Sequence, residues 1–356
     1  MKTLKGPAIF LAQFIRPDAP FNHLDTLAEW ASSCGFKGIQ VPTIDASIFP
    51  LDKAASDPTW CRELKEKLAD KNIQITELST HLQGQLMAVH PAYLPLYSQF
   101  APEAYRKNAQ SLHDWAHEQM LMTAEASANL GLKACASFSG SLAWPFIYPW
   151  PQRPKGLVEE AFAQLAERWK PILNAFDQAD TDICFELHPG EDLHDGASFE
   201  YFLDLVDNHP RCHILYDPSH FVLQQLDYLG FIDRYHQRIK AFHVKDAELN
   251  CNERSGVYGG YQDWIDRPGR FRSLGDGQID FNGIFSKLAQ YDFDGWAVLE
   301  WECCLKDSIV GAKEGARFIQ EHIIPVTERS FDDFADSGVS KQQLSLLLGS
   351  KNQERL

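Results

Sequence analysis

Glu186, Asp217, His243 and Glu300 each close a short apolar run, and together they offer three carboxylates and one imidazole. The runs are Ile183-Cys184-Phe185, Ile214-Leu215-Tyr216, Ile239-Lys240-Ala241-Phe242 and Trp296-Ala297-Val298-Leu299, each of strand length. A lone acid at a strand end is usually a cap, a turn former or a solvated group. Four ionisable groups at the ends of successive strands would repel one another unless protons or a cation neutralise them, and a divalent metal does so with this donor set. Mixed oxygen and nitrogen ligation suits Mn²⁺, Mg²⁺, Co²⁺ or Zn²⁺ over softer ions. One divalent metal ion is therefore the expected cofactor.

The elements that must position these groups follow from hydrophobic periodicity. Strand-like runs at 8–14, 38–41, 73–78, 133–138, 183–187, 213–217, 239–244 and 296–300 alternate with segments of helical period at 24–33, 60–70, 103–129, 157–178, 198–207, 222–235, 281–290 and 308–321. That alternation predicts a parallel sheet, and eight units in order predict an α/β fold of the (β/α)8 TIM barrel type over residues 1–322. No glycine-rich dinucleotide fingerprint follows the first strand. Long loops are expected after strands 4 and 7, at 139–154 and 247–273, both at the carboxyl ends of strands where barrel active sites lie. The first is stiff and aromatic, with Trp144, Phe146, Tyr148 and Trp150 among prolines. Trp144 is the candidate there for stacking on a sugar ring, against the alternative that these rings cap the barrel or meet a neighbouring subunit. The second loop reads as mobile and polar. Residues 323–356 form a C-terminal tail with helical pattern at 340–348, expected to pack on the barrel or on a neighbouring subunit.

Composition narrows the function classes. A formal charge of −16 with no basic stripe weighs against nucleic acid. No apolar run is long enough to span a bilayer, and Met1-Lys2-Thr3-Leu4-Lys5 lacks the apolar stretch of a signal peptide, so a soluble, cytoplasmic protein without a membrane partner is expected. The eight cysteines show no C-x-x-C spacing and read as free thiols, the adjacent Cys303 and Cys304 included. Small neutral or polar molecules remain the fitting substrates, and a homo-oligomer is compatible with all of this.

Five segments carry a more specific signal: Phe185-Glu186-Leu187-His188, Tyr216-Asp217-Pro218-Ser219-His220, Phe242-His243-Val244-Lys245-Asp246, Gly275-Asp276-Gly277-Gln278-Ile279-Asp280-Phe281 and Gly295-Trp296-Ala297-Val298-Leu299-Glu300. As a set they resemble the xylose isomerase-like TIM-barrel superfamily, and within it the group called sugar phosphate isomerases/epimerases. The resemblance is close over residues 180–305 and rests on strand pattern before that. It implies that Glu186, Asp217, His243 and Glu300 hold one divalent metal, that Glu186 and Glu300 serve as catalytic acid and base, and that His220 binds substrate. Proton abstraction alpha to a carbonyl, through a metal-stabilised enediolate, agrees with these residue types.

Other candidates follow from position. His188 lies two residues past Glu186 and Lys245 two past His243, so period two turns both towards the barrel mouth. The plainer alternatives are a histidine bonded to backbone and a lysine paired with Asp246. Glu302 shares a strand face with Glu300 and is the rival ligand or base, Glu300 being preferred for its spacing from Gly295. His81 and Gln83, just past the third strand, are candidates for lining the same cavity. Two departures stand out against free-ketose epimerases of the superfamily: Leu249 where they carry an arginine, and Asp192 where they carry a glutamate. An arginine of the second loop, Arg270 foremost with Arg254 and Arg272 as alternatives, would have to swing in as the substrate clamp. The leading expectation is a metal-dependent isomerase or epimerase of a keto-sugar. The alternative is a lyase or dehydratase acting by beta-elimination on a keto-inositol or 3-keto-glycoside. A DNA-repair enzyme on the same barrel conflicts with the acidic charge, and a non-catalytic sugar binder would not need the paired glutamates.

Overall fold

Eight parallel strands close into one barrel in the computed structural model, which describes residues 2–259, 261–327 and 338–349. They are β1 (Lys5–Phe10), β2 (Gly38–Pro42), β3 (Gln74–Ser79), β4 (Ala134–Ser137), β5 (Asp182–Glu186), β6 (Cys212–Tyr216), β7 (Ile239–Val244) and, after a two-stranded ribbon β8 (Asp246–Leu249) and β9 (Gly269–Arg272), β10 (Trp296–Leu299). The barrel runs β1-β10-β7-β6-β5-β4-β3-β2, with β1 pairing both β10 and β2 to complete it. The (β/α)8 expectation therefore holds.

The period of the strands divides the apolar residues into two regions. Ile183, Phe185, Ile214, Tyr216, Phe242 and Val244 face outward and join the helices in the main core. The alternate residues face the barrel axis, and there Ala134, Ala136, Cys184, Leu215 and Ala241 form a separate small-residue cluster. One step further along the same faces stand Glu186, Asp217 and His243. The strand period that buries Cys184, Leu215 and Ala241 thus delivers the polar groups to the carboxyl end of the barrel.

Several elements depart from expectation for local reasons. The first strand stops at Phe10, and Ala12–Phe14 turns into a 3-10 helix. The helix expected at 222–235 is two helices, Pro218–Gln224 and Tyr228–Tyr235, broken where Gln225 adopts the left-handed region at φ +59° and Asp227 caps the second. The loop at 247–273 is anchored at its base: β8 and β9 pair antiparallel, from Asp246 against Arg272 to Leu249 against Gly269. Asp246 secures that ribbon, accepting hydrogen bonds from the N–H groups of Ala247 (2.9 Å), Gly275 (3.0 Å), Gly277 (2.9 Å) and Ile279 (3.4 Å). A Cβ at Gly277 would collide with the Asp246 carboxylate, which accounts for glycine there. In the tail, Lys341–Leu347 is helical and capped by Ser340, with none of its residues buried. All eight cysteines are free.

Candidate metal centre

Glu186, Asp217, His243 and Glu300 are all buried, and each offers one ligand atom within 4.8 Å of the others. Burying three carboxylates side by side is costly unless each is paired. Glu186 accepts from two imidazoles, His81 Nε2 on Oε2 at 2.8 Å and His220 Nε2 on Oε1 at 2.9 Å. Glu300 accepts from Gln13 Nε2 at 3.0 Å and Lys245 Nζ at 3.2 Å, and lies 3.0 Å from His243 Nδ1. Asp217 Oδ1 takes the Ser219 N–H at 2.8 Å, while its buried Oδ2 has no hydrogen-bond partner and lies 3.3 Å from His220 Nε2 and 3.6 Å from Lys245 Nζ.

The electrostatics follow from that crowding. Burial alone would raise Glu186, but hydrogen bonds from His220 and His81 hold its carboxyl well below the usual range. In the same way Lys245 and His243 outweigh burial and the repulsion of Glu186 to hold Glu300 low. Asp217 is pushed up to about 6, by burial first and also by the charges of Glu186 and Glu300. Burial disfavours a charged imidazole at His243, yet Glu300, Glu186 and Asp217 lift it to about 9. Lys245, buried against Glu300, Glu302 and Asp217, is held well above its usual value. Once His243 gives up its proton to act as a ligand, the three ligand carboxylates against the Lys245 ammonium leave two negative charges, which a divalent cation would balance.

The donor set fits such an ion on two further observations. Asp217 Oδ2 is an orphaned carboxylate oxygen aimed into the cluster. His243 turns Nδ1 to the carboxylates while its Nε2–H donates to Gln40 Oε1 at 3.1 Å, the outer hydrogen bond that orients metal-ligating histidines. Gln40→Leu should therefore weaken Co²⁺ binding about 10- to 100-fold with the fold intact, read by titrating the cobalt absorption bands. Metal uptake should also be proton-linked. A ligand imidazole must be neutral, so below about pH 9 binding expels the His243 proton, and affinity rises about tenfold per pH unit. Below about pH 6 the Asp217 proton must leave as well, and the dependence steepens. Calorimetry of Mn²⁺ binding in buffers of differing ionisation enthalpy counts those protons; a pH-independent affinity between 6 and 9 would contradict the assignment.

The remaining expected residues divide into those that reach this cluster and those that do not. His81, His220 and Lys245 contact the ligands directly. Lys245 is not an Asp246 partner, since Asp246 is committed to the backbone of the ribbon. His188 packs its ring 4.2 Å from that of His220, and its buried Nδ1 has no hydrogen-bond partner. Burial drives it down to about 3, so it is neutral. Glu302 is 42% exposed and reaches the cluster only through Lys245, at 2.9 Å.

Gln83 donates to Thr43 Oγ1 at 2.8 Å and contacts none of the four ligands. Arg270 and Arg272 both bind Glu248, at 2.7 and 2.8 Å, because ribbon pairing places that carboxylate between them. Arg254 lies in the outer part of the loop. Among the described residues no arginine hydrogen-bonds or ion-pairs with the four ligands. Trp144 packs its ring on His194, 5.2 Å away, beside Val158 and Phe162 rather than on the metal cluster. Asp192 explains that placement: its carboxylate accepts from the N–H groups of Leu142, Ala143 and Trp144 at 2.8 to 2.9 Å and pins the loop there.

Sequence reasoning missed Gln13, Gln40 and Phe10, whose ring stacks 5.7 Å from that of His243. Gln40 left one signal, a lone amide inside the apolar run Gly38-Ile39-Gln40-Val41. Behind it on β3 lies Glu77, buried and lifted by that burial to about 7.

Comparison with known proteins agrees with the barrel fold. A family model described as xylose isomerase-like TIM barrel matches residues 28–322. An inosose dehydratase of Bacillus velezensis is 32% identical over 122 residues, 34% of this chain and 40% of that protein. The chain spans about half the length of the first curated relatives it matches. Two solved structures superpose with a TM-score of 0.60: a probable 3-DHS dehydratase of Bacillus anthracis at 18% identity and a 3-keto-D-glucoside 4-epimerase of E. coli at 12%. Each alignment covers 88% of this chain and 98% of the other, and at such identity the likeness carries the fold alone. Among the described residues no helix is long and apolar enough to cross a membrane.

Proposed function

The chain belongs to the xylose isomerase-like TIM-barrel family, and from that premise we propose that it is a divalent-metal-dependent lyase that dehydrates a keto-polyol of the keto-inositol type. The observation that carries this reading is the asymmetry of the two glutamates. Glu186 is bracketed by two imidazoles from outside the ligand set, one on each oxygen, whereas Glu300 lies against the Lys245 ammonium and the imidazole of His243, itself a candidate ligand. Elimination needs one base and one proton donor, while epimerisation calls for two bases on opposite faces. Glu300, kept ionised by Lys245 and oriented by Gln13, is the base for the proton alpha to the carbonyl. The electron pair of that C–H bond forms the new double bond as the beta C–O bond breaks, and the proton on His220 Nε2, which rests on Glu186 Oε1, passes to the departing hydroxide to give water. A divalent ion at the four donors supplies the positive charge that the substrate's carbonyl oxygen needs as the proton leaves. His188, neutral and with Nδ1 free, is placed to bind a substrate hydroxyl. Similarity to inosose dehydratases supports the same reading.

Incubation of the Mn²⁺- or Co²⁺-loaded protein with a keto-inositol in D₂O tests it. The expected product is lighter by one water and absorbs in the ultraviolet as an unsaturated ketone. An epimer that carries deuterium and has lost no water would move the assignment to an epimerase, the reading that both glutamates in one cluster would then favour. No exchange with any of Mn²⁺, Mg²⁺, Co²⁺ or Zn²⁺ would sink both.

A further inference from the structure

Beside Glu300 the barrel mouth opens into a cavity of about 400 Å³ whose lining includes Gln13, Trp264, Phe271, Trp301, Glu302 and Cys303. It adjoins the metal cluster at three points. Gln13 donates to Glu300, Glu302 pairs with Lys245, and the Phe271 ring centre lies 4.2 Å from Lys245 Nζ. Trp264 stacks on Phe271, with ring centres 5.1 Å apart and planes inclined by 30°, and is 47% exposed. Two stacked aromatic rings thus form an open wall next to the reacting centre. A free inositol or ketose held at the four ligands has no further group to place against that wall.

We propose that the substrate carries a flat apolar ring, an aromatic aglycone on the keto-polyol, and that Trp264, Phe271 and Trp301 bind it in this cavity. The inference rests on the proposed function for the position of the polyol, and names its substituent. A second sugar is the poorer occupant, because it needs several hydrogen-bond partners. Of the polar lining side chains Glu302 is already paired with Lys245. Gln13 keeps one free acceptor, its buried Oε1, which suits a single hydroxyl where polyol and aglycone meet. An aryl ring instead gains by burial and stacking on the wall.

The test is calorimetric titration of the full-length Mn²⁺-loaded protein with phenyl β-D-glucoside, methyl β-D-glucoside and cellobiose. The phenyl probe should bind about 10- to 100-fold more tightly than the methyl probe. Trp264→Ala should erase that difference, and Trp264→Phe should restore most of it. Equal binding of phenyl and methyl probes, tighter binding of cellobiose, or no binding of any probe would overturn the proposal. On the corresponding 3-keto-glucoside, loss of the C2 proton breaks the beta C1–O bond and releases phenol; a phenyl preference with neither proton exchange nor phenol release would sink the elimination reading and leave the aromatic subsite standing.

Discussion

Glu300→Gln, assayed at saturating metal, should lower alpha-proton exchange by about 10⁴-fold or more. The substitution keeps the shape and removes the charge. It deletes a proton acceptor, a term of about 10²–10⁴ by itself, and it deletes one of four metal ligands. It also leaves Lys245 and Gln13 donating to a group that can no longer accept at both oxygens. Metal affinity and turnover should therefore both fall, and saturating metal should restore occupancy but not turnover. Glu302→Gln is the matched control. That side chain is 42% exposed and its ion pair is with Lys245, so its loss should cost less than about tenfold, since water screens the exposed partner. Exchange by Glu300→Gln within tenfold of wild type, or a larger loss in Glu302→Gln, would reverse the choice between the two glutamates.

Lys245→Met should destabilise the metal-free protein by about 3–5 kcal/mol at pH 8, the usual consequence of removing one partner from a buried charge cluster. Methionine fills the volume of the stem, so the loss is electrostatic. Without the ammonium, Glu300 and Asp217 keep their mutual repulsion and lose a cation at 3.2 and 3.6 Å. The pH dependence has a definite sign. Losing the cation raises the folded-state pKa values of these carboxylates, and Asp217 already stands at about 6. A carboxylate with a raised pKa destabilises the fold above that pKa, and the penalty fades as it protonates. The difference between wild type and variant should accordingly shrink from pH 8 to pH 5. Denaturant unfolding in the presence of chelator at the two pH values measures it. Added Mn²⁺ should recover part of the stability at pH 8, because the ion supplies positive charge at the same place. A difference independent of pH would mean that Lys245 acts through packing alone.

Much of this site was legible along the chain, for a reason visible in β5, β6 and β7. Side chains alternate across a strand, so Cys184, Leu215 and Ala241 mark the inward face, and the next inward residues are Glu186, Asp217 and His243. The same rule turned Lys245 towards the mouth. Eight alternations of strand and helix announced the barrel, because each unit's periodicity is written within a few residues. His81 and His220 were readable as residues near strand ends, although their shared hold on Glu186 was not.

What the sequence by itself determined is therefore the fold, the depth of the four candidate ligands and the class of ion that suits them. Tertiary structure alone decided who stands behind and beside them. Gln13 meets Glu300 across 287 residues and Gln40 meets His243 across 203, contacts that exist only because β1 closes the barrel between β10 and β2. Which loop lines the site was also a matter of long-range bonds: Asp192 holds Trp144 aside, while the β8–β9 ribbon carries Trp264 and Phe271 to the mouth. Periodicity is local and can be counted along one segment. Barrel closure and loop direction depend on hydrogen bonds between distant segments, and no short stretch of sequence contains both partners.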